Sequence, residues 1–460
     1  MLEDVKAHDG GRCSGDLIHG SAYSSLACIV VSGFLGIAVL GQRVSAQSTL
    51  SAVDDTRATI AGIRVLTSTH LTLYTDLPSR PEIDSLPALF DKAVPQWAAY
   101  FGVEPVKIEG WRVRAHLIGD RAKFAAVGLM PTDNSLVHGY ATGSDLWVLD
   151  QPTDYYRRHL LLHEGTHAFM TKFLGGCGPG WYAEGMAELL ATHRLEAGDH
   201  TKKSPDPFLV LNVMPRDRRE VPMLGRIKLV RDAVAAGKAL TLPEVMAIDN
   251  RRQLGNEAYA WCWAAAKFLD SQQRYRERFR GLQKNVRDPD FNDLVRREFA
   301  EDWDELSAEW QAYVATLDHG YDFKRMAIRF ERGTPLSRDR REVAIAADRG
   351  WQSSGVWLEA GKTYRVTARG RFQVAVENGV AWPCEPGGVT IEYHDGRPLG
   401  MLLGAIVSEG AGDAIFAKPQ AIGLGCNMTP EVSGTLYLRV NDSAARLGDN
   451  RGTLTIGIDD

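Results

Sequence analysis

The stretch HLLLHEGTHAFMTKFLGGCGPGWYAEGMAELLATH, His159 to His193, constrains the fold more than any other. It is apolar at helical spacing on both sides of Gly176–Gly180, GCGPG, which no helix runs through, so two helices must meet there as a reversal. The first carries His163-Glu164-Gly165-Thr166-His167. A step of four residues advances a helix by about 6 Å and turns it about 40° past a full turn. Both imidazoles therefore leave one face and can reach a single Zn2+ at about 2.0–2.1 Å. Glu164, next to the first ligand, is placed to take a proton from water rather than to bind the ion. A catalytic zinc usually has three protein ligands and one open position. The second helix, expected from Trp181, supplies Glu184 after 16 intervening residues, and Glu188 one turn later on the same face. The expected metal ligands are His163, His167 and Glu184. Glu188 would accept a hydrogen bond from the free ring nitrogen of a ligand histidine. Capped or solvated histidines are the competing reading, and an apolar helix makes unpaired polar groups costly.

The rest of the chain sets the frame. Its 460 residues allow two or three domains, and 44% hydrophobic with 24% charged residues is ordinary for a globular protein. A net charge of -5 gives no reason to expect nucleic acid, and the basic cluster Arg338, Arg340 and Arg341 reads as a solvated linker. Ser24 to Leu40 is apolar and uncharged, and Val44-Ser45-Ala46 has small-x-small spacing. Residues 1–46 are therefore expected to be a cleaved signal peptide or an N-terminal anchor, with a secreted, periplasmic or cell-envelope location. Ser25 replaces the Leu that a lipoprotein box before Cys28 would carry. In an oxidising compartment the four remaining cysteines have three possible connectivities, the simplest being Cys177 with Cys262 and Cys384 with Cys426.

Alternation and helical spacing divide the chain further. Thr67 to Asp76, Trp111 to Ile118 and Gly139 to Leu149 read as strands; Ile83 to Phe101, a short segment through Phe124 and the segment from Asp154 read as helices. Glu257 to Leu269 and Trp303 to Leu317 are further helices. A charged stretch with Gly333 and Pro335 follows, then short alternating runs: Val356–Glu359, Thr363–Ala368, Val389–Tyr393, Gly434–Asn441 and Gly452–Ile458. Those runs mark an antiparallel β-sandwich. The expected domains are 47–325, a linker 326–350, and 351–460.

HEGTHAF followed by GPGWYAEGMAELLA resembles the gluzincin metallopeptidases, the clan of thermolysin and the zinc aminopeptidases, and most closely the compact bacterial peptidase-MA-like proteins. The likeness covers roughly Thr67 to Leu317. The interval before Glu184 is slightly shorter than in that clan, and Ala183 stands where Asn is usual. The resemblance implies an α+β fold: a gluzincin-type metallopeptidase domain with a small mixed sheet and a helical half. It implies a peptide or protein substrate, Glu164 as general base, and a Tyr or His on a later helix as oxyanion donor. Tyr259 lies at the matching distance, with Tyr182 and His193 as substitutes. It also implies that the edge strand before the zinc helix pairs with substrate.

From Trp351 to Asp460 the chain resembles the small calcium-dependent galactose-binding lectins of bacteria, an all-β galactose-binding-like sandwich. NDSAARLGDN matches their ion loop, which makes Asp442, Asp449 and Asn450 candidate Ca2+ ligands, with a backbone carbonyl from Arg446. His394 is the candidate sugar contact. The expected function is an exported zinc metallopeptidase targeted to glycans by its last domain. The alternatives are a non-enzymatic glycan-binding surface protein, and a zinc amidohydrolase acting on a non-peptide substrate.

Overall fold

The computed structural model describes residues 53–131, 136–197, 207–249, 255–336, 340–408 and 415–460. The expected signal or anchor, residues 1–46, and Arg338 lie outside the described residues. Among the described residues no helix is long and apolar enough to cross a membrane.

The N-terminal sheet has the order β1 (Arg64–Thr67), β2 (Leu71–Thr75), β3 (Val113–Ile118), β5 (Asp145–Leu149), β4 (Gly139–Thr142). Its centre is parallel and its two outer pairs are antiparallel. Thr67–Asp76, expected as one strand, and Gly139–Leu149, expected as a strand with a bend at Gly143-Ser144-Asp145, are both hairpin segments. In Thr67–Asp76 the chain reverses at Ser68–His70, where Asp91 accepts hydrogen bonds from Ser68 Oγ, Thr69 N and His70 N. In Gly139–Leu149 it reverses at Gly143, whose φ of +59° suits a residue without a side chain. Helix α1 (Leu86–Phe101) starts later than expected because Pro87 occupies its first turn. It buries Phe90, Val94 and Trp97 between the sheet and the helix that carries His163.

Helix α2 (Asp154–Leu174) starts where Thr153 accepts from Tyr156 N and stops at Gly175, φ +79°. After the reversal, α3 (Gly180–Ala191) is buried along its whole length. Its Gly185 lies so close to α5 (Asn256–Ser271) that a Cβ would sit 2.8 Å from the Cys262 carbonyl oxygen. Helices α4 (Arg226–Ala235) and α6 (Trp303–Thr316) complete this half, beside a small hairpin of β6 (His193–Glu196) and β7 (Phe208–Leu211).

The C-terminal region is β-rich. One sheet runs β17 (Gly425–Met428), β10 (Tyr364–Arg369), β19 (Thr453–Asp459), β8 (Arg340–Ala346). The other runs β16 (Gln420–Ala421), β15 (Leu402–Val407), β18 (Gly434–Val440), β9 (Gln352–Leu358). Hairpins β11–β12 (Phe372–Glu377, Val380–Cys384) and β13–β14 (Val389–His394, Arg397–Leu399) flank them. The faces meet in a core that includes Val366, Leu436, Leu438, Leu454 and Ile456.

Two expectations need correction here. Residues 326–350 are not a free linker. Arg340–Ala346 pairs along its length with β19, and Thr334 bridges to Val356. The charged residues that suggested solvent are the outward half of an edge strand. The seam itself is apolar: Ala308 and Ala312 of α6 pack with Ile328, Trp351, Leu403, Ala405 and Tyr437. Ala444 and Leu447, from the loop after β18, sit in the core of the helical half. The cysteine pairs are also absent, since Cys177, Cys262, Cys384 and Cys426 are all free thiols. Cys262 faces α3 from inside α5, while Cys177 lies on the reversal against α2.

Candidate metal centre

Helices α2 and α3 bring His163, His167 and Glu184 together. His163 Nε2 lies 3.2 Å from His167 Nε2, and Glu184 Oε2 lies 3.2 Å and 3.4 Å from these two atoms. Ligands bonded at about 2.0–2.1 Å to a tetrahedral ion are about 3.3–3.4 Å apart, so the observed triangle is the face of such a tetrahedron. Glu184 Oε2 is buried, and no hydrogen-bond donor is aligned on it. Two nitrogens and one oxygen, converging with a lone pair left over, are a donor set that fits Zn2+.

The charges at this point are strongly coupled. Burial alone would lower the His163 pKa, but Glu184 and Glu188 raise it to about 9. His167 is held well above the usual histidine range in spite of burial, through Glu184 and Cys177. Burial pushes the Glu184 carboxyl up, and His167 and His163 together bring it far below the ordinary range. Metal ligation needs both imidazoles neutral at the ligating nitrogen, so metal uptake would compete with their protonation.

Glu188 sits behind the triangle. Its Oε1 is 3.3 Å from His163 Nδ1, close enough for an ion pair but off the hydrogen-bond axis. Its strongest partner is Arg226 of α4, which donates to both carboxylate oxygens at 2.8 Å and 2.7 Å. His159, one turn before His163, adds a 3.2 Å contact to Glu188 Oε2. The anticipated histidine–carboxylate pairing is therefore a four-residue knot. His159 was legible at i−4 from His163; Arg226 carried no sequence signal.

Glu164 is buried beside the triangle and accepts no hydrogen bond among the described residues. Burial raises its pKa, His163 and His167 pull it back, and Glu184 and Glu188 push it up again. Its carboxylate lies against β4, where a Cβ on Gly139 would overlap it. That strand forms one edge of its sheet. Tyr259 of α5 faces the same centre, its ring 5.9 Å from that of His163 and under the Arg226 guanidinium at 5.4 Å. Burial, Glu184, Glu164 and Glu188 all raise its pKa, so the phenol keeps its proton. Tyr182 and His193 do not belong to the centre. Tyr182 packs on Phe279 and Phe291. His193 stacks on Tyr155 and pairs with Ala191 O, and burial lowers its pKa to about 3.

In the C-terminal loop Asp442 and Asn450 are brought together, with Asn450 Nδ2 donating to Asp442 Oδ2 at 3.0 Å. Both are fully buried, and burial raises the Asp442 carboxyl to about 6. Asp449 Oδ2 accepts from Val376 N at 3.2 Å, while Asp449 Oδ1 and Asn450 Oδ1 are buried without a donor. The Arg446 guanidinium pairs with Glu392. His394, half-buried, lines a cleft of about 180 Å³ between the β13–β14 hairpin and helices α4 and α6.

No family model and no curated protein matches the chain. Among solved structures, the N-terminal domain of EclA, described as a PllA-like lectin, is similar over 26% of this chain and 93% of its own, at 20% identity and a TM-score of 0.20.

Proposed function

We propose that the protein is a zinc-dependent hydrolase of gluzincin type, acting on peptide bonds. The observation that carries this reading is the triangle of His163, His167 and Glu184 with its undirected Glu184 oxygen, set beside the buried Glu164 carboxylate. When bound, zinc supplies Lewis acidity, which acidifies a water and polarises a carbonyl. Glu164 accepts the proton of the attacking water and passes it to the leaving amine, and its raised pKa suits both transfers. Tyr259, protonated and half-buried, donates to the oxygen that gains charge. The free edge of β4 offers backbone groups to an extended peptide, beside the base.

Metal analysis of the purified protein, combined with digestion of an unbiased peptide library with and without chelator, tests the reading. One zinc per chain and chelator-sensitive cleavage are expected. Glu164→Gln should keep the zinc and lose about 10²–10⁴-fold in rate. A variant that cleaves like wild type would sink the assignment, and a zinc-loaded protein that cleaves no peptide would move it to a non-peptide amide.

For the C-terminal loop we propose a structural calcium ion rather than a sugar-bridging one. Asp449 Oδ1 and Asn450 Oδ1 are acceptors in search of a cation. The same loop is sealed against the helical half by Ala444 and Leu447, which leaves a glycan no access to Asp442 or Asn450. A glycan role would then fall to His394 and its cleft, as attachment to cell-surface material by an exported enzyme.

A further inference from the structure

Apolar packing joins α6 to the sandwich along part of the seam, and beside it the two halves leave a cavity of about 350 Å³. Ala300, Asp304 and Ala308 line it from the helical side, and Trp357 of β9 and Tyr437 of β18 from the sandwich. A third side is the segment Phe330 to Arg332, which is pinned in place. Tyr437 Oη accepts from Glu331 N at 2.9 Å, Thr435 Oγ1 accepts from Gly333 N at 2.8 Å, and Thr334 O accepts from Trp357 N at 2.9 Å. These bonds shape the cavity without any ligand. Its lining is aromatic and acidic. The rings of Phe330 and Tyr437 stand 6.0 Å apart, and the Arg332 guanidinium lies over the Trp357 ring at 5.2 Å. The acids are Glu301, Asp304, Glu305 and Glu331. Glu305 pairs with Arg274 and Glu331 with Arg329, while Glu301 and Asp304 have no cation partner among the described residues. Nor, among the described residues, do these acids converge on one point as metal ligands would.

We propose that this cavity binds an organic cation, an alkylammonium or guanidinium carried on an aliphatic stem. The stem lies against Phe330, Trp357 and Tyr437, and the charged head is met by Asp304 and Glu301. Aromatic faces attract a cation, the more so as water is excluded, and Trp357 already holds one in Arg332. A hydrated metal ion gains nothing from apolar walls and finds no converging oxygens; an anion would meet carboxylates. The volume is that of a small-ligand site, and seams between domains are where such sites form. The same cation can come from a free polyamine or from a Lys or Arg side chain of a polypeptide. Asp304 and Glu305 lie in the first turn of α6, where acids also favour the helix start, so binding must be read apart from stability. The cavity shares no residue with the metal centre, and the proposal stands independently of the zinc reading.

The test is calorimetric titration of the purified protein with spermidine and with a short lysine-rich peptide blocked at both ends. Hexanediol, which has the stem without the charge, and Mg2+, which has the charge without the stem, are the controls. At least one of the two organic cations should bind, and neither control should displace it. Binding of spermidine alone assigns a free polyamine; binding of the peptide assigns a polypeptide side chain. Trp357→Leu and Asp304→Asn should each weaken binding about 10-fold. Glu301→Gln changes an exposed side chain outside the helix, so it should weaken binding about 3-fold at an unchanged melting temperature. That variant decides the matter where Trp357→Leu or Asp304→Asn costs stability. Wild type that binds neither organic cation overturns the proposal. So does displacement by Mg2+ at matched ionic strength, or affinity that all three substitutions leave at the wild-type value.

Discussion

Two polar clusters in this protein are both candidate metal sites by sequence and differ in construction. Around His163 and His167, two ring nitrogens and one carboxylate oxygen converge across the junction of α2 and α3, and no donor is aligned on Glu184 Oε2. A second layer of Glu188, Arg226 and His159 fixes one of the rings from behind. In the loop after β18, Asp442 and Asn450 bond to each other, and the neighbouring Ala444 and Leu447 enter the core of the helical half. The first arrangement lies beside β4, the last strand of its sheet. The second closes a seam. The two differ in how their acceptors are disposed: Glu184 Oε2 faces both imidazoles, whereas Asp442 accepts from Asn450 and leaves Asp449 Oδ1 and Asn450 Oδ1 open.

The largest effect that sharpens this contrast belongs to Glu188. Glu188→Ala leaves Arg226 buried, charged and unpaired, and should cost about 3–5 kcal/mol in urea unfolding. Glu184→Ala should abolish zinc uptake and cost the metal-free protein less than Glu188→Ala does, because Glu184 faces imidazoles that can lose their protons whereas Arg226 stays charged. Equal losses in both variants would mean that Glu184, too, is only structural.

Leu447→Ala comes next. The side chain is wholly buried among residues of the helical half, so about 2–4 kcal/mol should be lost. Hydrogen exchange should show that loss in α4, α5 and α6, not only in the sandwich. An effect confined to the sandwich would restore the picture of a tethered, independent domain.

Glu309 of α6 tests the seam by pH. It accepts from Ile328 N and from Tyr275 Oη, yet burial raises its pKa to about 7. A carboxyl raised in the folded state favours folding while protonated. Its contribution is complete below the unfolded pKa near 4.5 and fades as pH rises through about 7. Wild type should lose on the order of 1–3 kcal/mol across that window relative to Glu309→Gln. Parallel pH profiles would remove Glu309 from the seam's energetics.

The smallest expected change is calcium-dependent. Millimolar Ca2+ should raise the melting temperature of wild type by a few degrees, in line with binding linkage, and leave Asp449→Asn unmoved. No shift in wild type would reduce the loop to hydrogen bonding alone.

The pairing of α2 and α3 was legible because everything that places it is local. The i, i+4 step of His163 and His167, the glycines of the reversal and the one-turn interval from Glu184 to Glu188 lie within a single stretch of chain. Helical geometry converts that spacing directly into direction. The sandwich strands were legible by alternation for the same reason. Arg226 was not, because its approach to Glu188 depends on how α4 packs, which no spacing encodes. Strand β8 hid behind its charges, since an edge strand with one solvent face resembles a polar linker. Gly139 was read as part of a strand; only the packed structure reveals that its missing side chain makes room for Glu164.

The central claim is that two imidazoles and one carboxylate, and no sulfur, bind a single Zn2+. X-ray absorption at the zinc edge of the loaded protein measures this directly. The account predicts nitrogen and oxygen neighbours at about 2.0–2.1 Å, with the outer scattering of two imidazoles. A sulfur shell at about 2.3 Å, or fewer than two imidazoles, would contradict it.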